Sequence, residues 1–147
     1  MISLDTNVLV YAADRQAGNR HAAAHQLVTM AIGKNVGLTE QSLIEFLDST
    51  TRKAKLSLAD AATTLRGYLS YFTLLMPQNT IVEDAIALLT RHKLSVWDAR
   101  MLAVCAAHGC SHLLSEDMQD GARYGGVTVV NPFNPANAAM LAVLLNP

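Results

Sequence analysis

Short apolar runs along the chain alternate with longer stretches in which apolar residues recur at helical spacing. Residues 1–4 are apolar enough for a buried strand, and Asp5-Thr6-Asn7 directly after them offers helix N-cap chemistry. Residues 19–32, rich in Ala, Leu and Gln, predict a helix that Gly33 and Asn35 end. A second short strand is expected at residues 36–39. A helix over residues 40–54 follows, with Leu43, Ile44 and Leu47 on one face and Phe46 beside it. Ser57-Leu58-Ala59-Asp60 has the form of a capping box with the shorter Asp in place of Glu, and opens a helix to about Tyr71. Residues 72–76 predict a third strand closed by Pro77, and residues 79–92 a further helix. Ser95-Val96-Trp97-Asp98 opens the next helix, which runs to His108 and stops at Gly109. Residues 112–114 and 127–130 predict the fourth and fifth strands. The last is a continuous β-branched run of the kind buried on both faces of a parallel sheet. Pro132 and Pro135 lead into a short Ala/Leu-rich helix. Strands separated by helices indicate an α/β fold with a parallel sheet.

No repeat, Ser/Gly linker or change of composition divides the 147 residues, so one domain over residues 1–147 is expected. With 51% hydrophobic and 16% charged residues, disorder is excluded. Residues 134–147 extend the domain with Met140, Leu141, Val143, Leu144 and Leu145, too apolar for a free tail. They are expected to pack on the domain or to sit at an interface. No apolar stretch approaches the ~18–20 residues needed to span a bilayer. The N-terminus carries Asp5 inside its apolar stretch and has no basic lead, which makes a poor signal peptide. Cys105 and Cys110 make no disulfide framework. A reduced, cytoplasmic protein with no membrane partner is therefore expected. The formal net charge of -1 gives no global attraction to nucleic acid, so any such function needs a local patch or a metal.

The placement of the acids changes the picture. Asp5 follows the first strand and Glu116-Asp117 the fourth, and open α/β sheets bind ligands outside the carboxyl ends of their strands. Asp98 falls in the first turn of the helix opened by Ser95. Glu45, flanked by Ile44 and Phe46, is a carboxylate beside a hydrophobic face, costly to bury unless it is paired or ligates a cation. Four converging carboxylates cannot all stay ionised without a counter-charge. A hard divalent cation with a preference for oxygen, Mg²⁺ or Mn²⁺, is the simple remedy.

These residues are also familiar as a set. Ile2-Ser3-Leu4-Asp5-Thr6-Asn7-Val8-Leu9, Leu43-Ile44-Glu45-Phe46 and Ser95-Val96-Trp97-Asp98-Ala99 occur in that order. They are followed by Leu113-Leu114-Ser115-Glu116-Asp117-Met118-Gln119-Asp120-Gly121 and Val129-Val130-Asn131-Pro132-Phe133. Over residues 1–133 the chain resembles a PIN-domain ribonuclease of the VapC type, the toxin of a type II toxin–antitoxin system. The resemblance implies a PIN-like α/β fold with a central parallel sheet in the order 3-2-1-4-5, flanked by helices. It implies a catalytic quartet of Asp5, Glu45, Asp98 and Asp117, with Asp5, Asp98 and Asp117 holding Mg²⁺ (or Mn²⁺). Thr6 or Ser115 is expected to help by hydrogen bonding the acids or the attacking water, and Glu116 and Asp120 to be further acids beside the metal or simply solvated charges. The implied activity is metal-dependent hydrolysis of RNA phosphodiester bonds, leaving a 5′-phosphate and a 3′-hydroxyl. The implied partners are an RNA substrate, a cognate antitoxin and a second copy in a homodimer.

Other features read more plainly. His21 and His25 sit four apart, but Ala22 stands where a zinc protease needs Glu, so they read as a polar helix face. Cys105, His108, Cys110 and His112 lack the usual zinc spacing and read as structural. Trp97 reads as a packing residue that orients its helix start, with base stacking as the alternative. Tyr68, Tyr71 and Phe72 read as core or interface. Arg52-Lys53-Ala54-Lys55 reads as a solvated helix end, and Arg15, Arg20, Arg100 and Arg123 as candidates for phosphate contact. Two other functions compete. A phosphatase with an Asp nucleophile wants a second acid two residues on, where Asn7 stands. A catalytically inactive PIN-like module that binds RNA or protein would have no need of an intact quartet.

Overall fold

The computed structural model describes residues 1–53 and 55–146. Six strands form one sheet: β1 (Ile2–Leu4), β2 (Val36–Thr39), β3 (Thr73–Leu75), β4 (His112–Leu114), β5 (Arg123–Tyr124) and β6 (Val127–Val130). Seven α-helices accompany them among the described residues: α1 (Thr6–Ala13), α2 (Asn19–Ala31), α3 (Glu40–Arg52), α4 (Leu58–Tyr71), α5 (Ile81–Arg91), α6 (Val96–Ala107) and α7 (Ala138–Leu145). The spatial order is β3-β2-β1-β4-β6-β5. All neighbours are parallel except β5, which pairs antiparallel with β6. The five expected strands stand in the expected order, and β5 is an addition at the edge. It is the first half of a two-residue hairpin in which Tyr124 faces Val127. The loop is Gly125-Gly126, with φ of 56° and 92°, the positive backbone angles that such a turn requires. The end of the helix expected to reach Ala54 lies partly outside the described residues, and the ordered helix closes at Arg52.

Alternation along the strands divides the core. Ile2, Leu4, Val36, Leu38, Leu114 and Val130 face α1–α4, while Leu75, Leu113, Val127 and Val129 face α5 and α6. Burial on both faces explains why these strands read as unbroken apolar runs. From the extension, Leu145 is buried, Leu141 and Leu144 lie against the first cluster, and Met140 and Val143 remain exposed. At Gly37 in β2 the neighbouring chain leaves no room: a Cβ there would lie 2.6–2.9 Å from three side-chain carbons of Leu75. A Gly37→Ala chain is expected to be destabilised by about 1–3 kcal/mol through overpacking, read as a lower urea midpoint with an unchanged slope.

Two assignments of faces are corrected. On α3 the buried positions are Gln41, Ser42, Leu43, Phe46 and Thr50, whereas Ile44 is 57% exposed. Turning Phe46 fully inward rotates Ile44 outward and leaves Glu45 on the flank of the helix rather than under it. Tyr68 and Phe72 are buried as expected, but Tyr71 is exposed.

Candidate active site at the carboxyl edge of the sheet

Strands β1 and β4 are direct neighbours, with Leu4 opposite Leu114, so the residues that follow them emerge side by side. The strand order reverses between them, with β2 on one side and β6 on the other, which makes this edge the switch point of the sheet. Asp5 leaves β1 with its amide bonded to the Leu114 carbonyl at 3.0 Å and serves as the N-cap of α1. Its Oδ1 accepts from the Thr6 amide at 2.6 Å and its Oδ2 from the Ser115 hydroxyl. The same hydroxyl accepts from the Asp117 amide at 3.2 Å, so Ser115 ties the loop after β4 to the acid after β1. Asp117 stands exposed at the mouth, where Oδ2 accepts from the Asn7 side-chain amide at 3.1 Å. Asn7 Oδ1 is buried with no partner.

Glu45 enters from α3. Thr39 caps that helix, accepting from the Ser42 amide, and so starts it at the carboxyl end of β2. Glu45 Oε2 accepts from the Thr6 hydroxyl at 2.7 Å, and Oε1 from the Gln41 side-chain amide at 2.9 Å. Asp5 therefore sits near the negative charges of Asp117 and Glu45 and is only 6% exposed. Burial, opposed by the bonds from Ser115 and Thr6 and reinforced by the charges of Asp117 and Glu45, pushes its carboxyl from 3.8 up to about 6. Asp98 lies in the first turn of α6, where its amide bonds the Ser95 hydroxyl at 3.1 Å. Its carboxylate makes no hydrogen bond to the other three acids among the described residues. The start of α6 is nevertheless tied to them, because Gln41 also donates to the Trp97 carbonyl at 3.2 Å.

None of Asp5, Glu45, Asp98 and Asp117 forms an ion pair with Lys or Arg among the described residues. No three His, Cys, Asp or Glu side chains there converge tightly enough to make a finished metal cage. The family model of the PIN domain matches residues 2–120. The chain belongs to the PIN domain family. A solved toxin–antitoxin complex from Klebsiella pneumoniae is similar at 25% identity, over 90% of this chain and 98% of that one, with a TM-score of 0.65. VapC20 of Mycobacterium tuberculosis, described as a sarcin-ricin loop cleaving toxin, shares 22% identity over 80% of this chain and 92% of its own, with a TM-score of 0.64. VapBC2 from Rickettsia felis, bound to a promoter DNA fragment, shares 15% identity over 88% and 97%, with a TM-score of 0.63. The latter two likenesses show the fold alone. A comparison with curated proteins gives no match. No helix among the described residues is long and apolar enough to cross a membrane.

Within this PIN domain, two expected helpers are engaged elsewhere. Glu116 pairs with Arg20 at 2.8 Å, and the Arg20 guanidinium also lies 4.4 Å from the centre of the Phe133 ring. Glu116 beside Tyr11 also raises the pKa of that hydroxyl. Its charge is thus already balanced. Asp120 accepts from the Asn131 amide at 2.9 Å, the Asn134 side chain at 2.8 Å and the Asn137 side chain at 2.9 Å, and so clamps the turn that leads to α7. The Asn131 amide, followed by Asn134, lowers its pKa. The clamp is complete above the ordinary carboxyl value and is lost as pH falls through the lowered one. An Asp120→Ala chain is expected to lose on the order of 1 kcal/mol at pH 7, discounted for exposure, and to show faster amide exchange in α7.

Trp97 corrects another expectation. Trp97 is 63% exposed and is no part of the buried core; the backbone carbonyl, not the indole, anchors the helix start. Arg100 is bound to Glu40 and Gln41, both at 2.9 Å, and Arg52 to Asp48 at 3.2 Å. Lys55 pairs with Asp14, lowering that carboxyl, while Ala54 of the same basic run lies outside the described residues. Cys105 and Cys110 are free and buried, as structural cysteines are. Sequence reasoning missed two residues, Asn7, which bonds Asp117, and Gln41, which bonds Glu45. The sequence signal for Gln41 is the four-residue spacing to Glu45 on one helix face.

Proposed function

We propose that the chain is a metal-dependent endoribonuclease that hydrolyses RNA phosphodiester bonds with Mg²⁺ or Mn²⁺. We further propose that it acts as the toxin of a toxin–antitoxin pair. The carrying observation is that Asp5, Glu45 and Asp117 meet at the switch point with only neutral donors bound to them. Such a site is short of positive charge; the carboxyl of Asp5 is raised first by burial, and the charges of Asp117 and Glu45 add to that rise. An all-oxygen donor set suits a hard cation. Mg²⁺ usually binds through one or two carboxylates and keeps several waters, so a closed cage of three acids is not needed. Asp5 and Asp117 would hold the ion, with Asp98 beside them. When bound, such an ion supplies Lewis-acid polarisation of a phosphoryl oxygen and a water of lowered pKa.

The chain's own residues do the rest. Ser115 and the Thr6 amide fix Asp5, and Asn7 fixes Asp117. Thr6 and Gln41 hold both oxygens of Glu45, which would complete the site or orient the attacking water. Support for the toxin role comes from the likeness to a toxin–antitoxin complex at 25% identity over most of both chains. The partners on this reading are RNA, a cognate antitoxin and a second copy of the chain.

The deciding experiment incubates the purified chain with a mixed RNA pool. Discrete fragments are expected with Mg²⁺ or Mn²⁺, none with EDTA, and recovery when Mn²⁺ is restored. Intact RNA under every condition, with no cation-dependent change in melting temperature, would leave a binding module instead.

A further inference from the structure

We infer that Gln41 and Arg100 are positioning residues that hold the Glu45 carboxylate and the helix start bearing Asp98. This assignment rests on the nuclease reading for its consequence, but not for its geometry. Gln41 is only 5% exposed, and all its polar capacity is directed. Its Nε2 donates to Glu45 Oε1 at 2.9 Å and to the Trp97 carbonyl at 3.2 Å. Its Oε1 accepts from Arg100 Nη1 at 2.9 Å. Arg100 Nη2 reaches Glu40 Oε2, also at 2.9 Å. The amide has one workable orientation: turned over, its carbonyl oxygen would face a carboxylate and another carbonyl, and its NH₂ would face a guanidinium. One side chain thus joins α3, which carries Glu45, to the first turn of α6, which carries Asp98.

The charges explain why an amide stands there. A guanidinium bonded directly to Glu45 would fix it equally well, but would cancel the negative charge that a cation needs. Passing the contact through Gln41 secures Glu45 with a neutral donor. Glu40 meanwhile balances Arg100, so the anchor adds no net charge beside the site. Arg100, a candidate for phosphate contact on sequence grounds, is thereby committed to the scaffold. Hydrogen bonds passed along such a chain also strengthen one another in a low-dielectric setting.

The test combines one measurement without metal and two with it. In the cation-free wild type, the Gln41 side-chain amide protons should exchange slowly with water by NMR, and Arg100→Met should restore the fast exchange of a free glutamine. In a Mn²⁺ titration followed by melting temperature, Gln41→Met and Arg100→Met should each raise the midpoint by about 10-fold, the scale seen for groups that orient metal ligands. In RNA cleavage, both should lower kcat while KM for RNA stays at the wild-type value. A rise in KM with a weaker salt dependence would instead make Arg100 a phosphate contact and overturn its assignment. Fast exchange of the wild-type Gln41 amide would overturn the arrangement whatever the metal does, as would wild-type Mn²⁺ midpoints and kcat in both variants. A wild type with a protected Gln41 amide, lost in Arg100→Met, but no response to Mn²⁺ and no cleavage, would uphold the positioning while removing the nuclease reading.

Discussion

Asp5→Asn and Asp117→Asn chains are each expected to cleave RNA at least about 100-fold more slowly than the wild type, the order of loss when one preorganised charge-stabilising group is removed. Both should keep the native circular dichroism spectrum. The local bonds survive the exchange. An amide at position 5 still accepts from the Thr6 N–H through its oxygen, and its NH₂ can donate to the Ser115 hydroxyl, which turns to accept. At position 117 the oxygen that takes the Asn7 amide can be kept. What disappears is one negative charge at the junction of β1 and β4, and with it, on the proposed reading, attraction for a divalent ion. A single-turnover rate within 10-fold of wild type for either variant would overturn the assignment of that acid.

How far this could be read from the chain alone depends on whether the cause was local. Asp5 and Ser115–Asp117 were legible because each follows an unbroken apolar strand, and the parallel pairing of β1 with β4 then places both at one edge. The hairpin that adds β5 also left a local trace, the Gly125-Gly126 pair before a β-branched run. The engagement of Glu116 and Asp120 left none. Arg20 lies on α2, and the Asn131, Asn134 and Asn137 partners lie beyond β6, so nothing near either acid in sequence reveals its partner. Ile44 was misplaced because a three-residue apolar cluster on a short amphipathic helix fits two rotations, and Phe46, the larger side chain, decides between them. Gln41 and Arg100 are 59 residues apart and neither is unusual where it stands. Only the tertiary contact between α3 and α6 gives them a shared role.

The acid that serves the site should weaken the fold that carries it. With its carboxyl raised from 3.8 to about 6 in the folded chain, Asp5 binds a proton more tightly there than in the unfolded chain. Stability from this group is therefore greatest below pH 4 and falls as pH rises from about 4 to 6. Above that window the full penalty applies: about two pKa units, or roughly 3 kcal/mol. An Asp5→Asn chain carries no such charge. At pH 7 without divalent cation it should melt roughly 6–12 °C above the wild type, allowing about 2–4 °C per kcal/mol for a chain of this size. At pH 4 the two should melt together. Saturating Mn²⁺ should reverse the order, since an ion at about 1,000 times its Kd adds about 4.1 kcal/mol, more than the roughly 3 kcal/mol penalty, to a folded state that binds it and little to one that does not. The reversal matters more than the gain. A stabilised Asp5→Asn chain whose advantage persists in Mn²⁺ would mean that Asp5 is merely a badly buried carboxylate. An advantage that vanishes only when the cation is present ties the same buried charge to the ion it is there to hold.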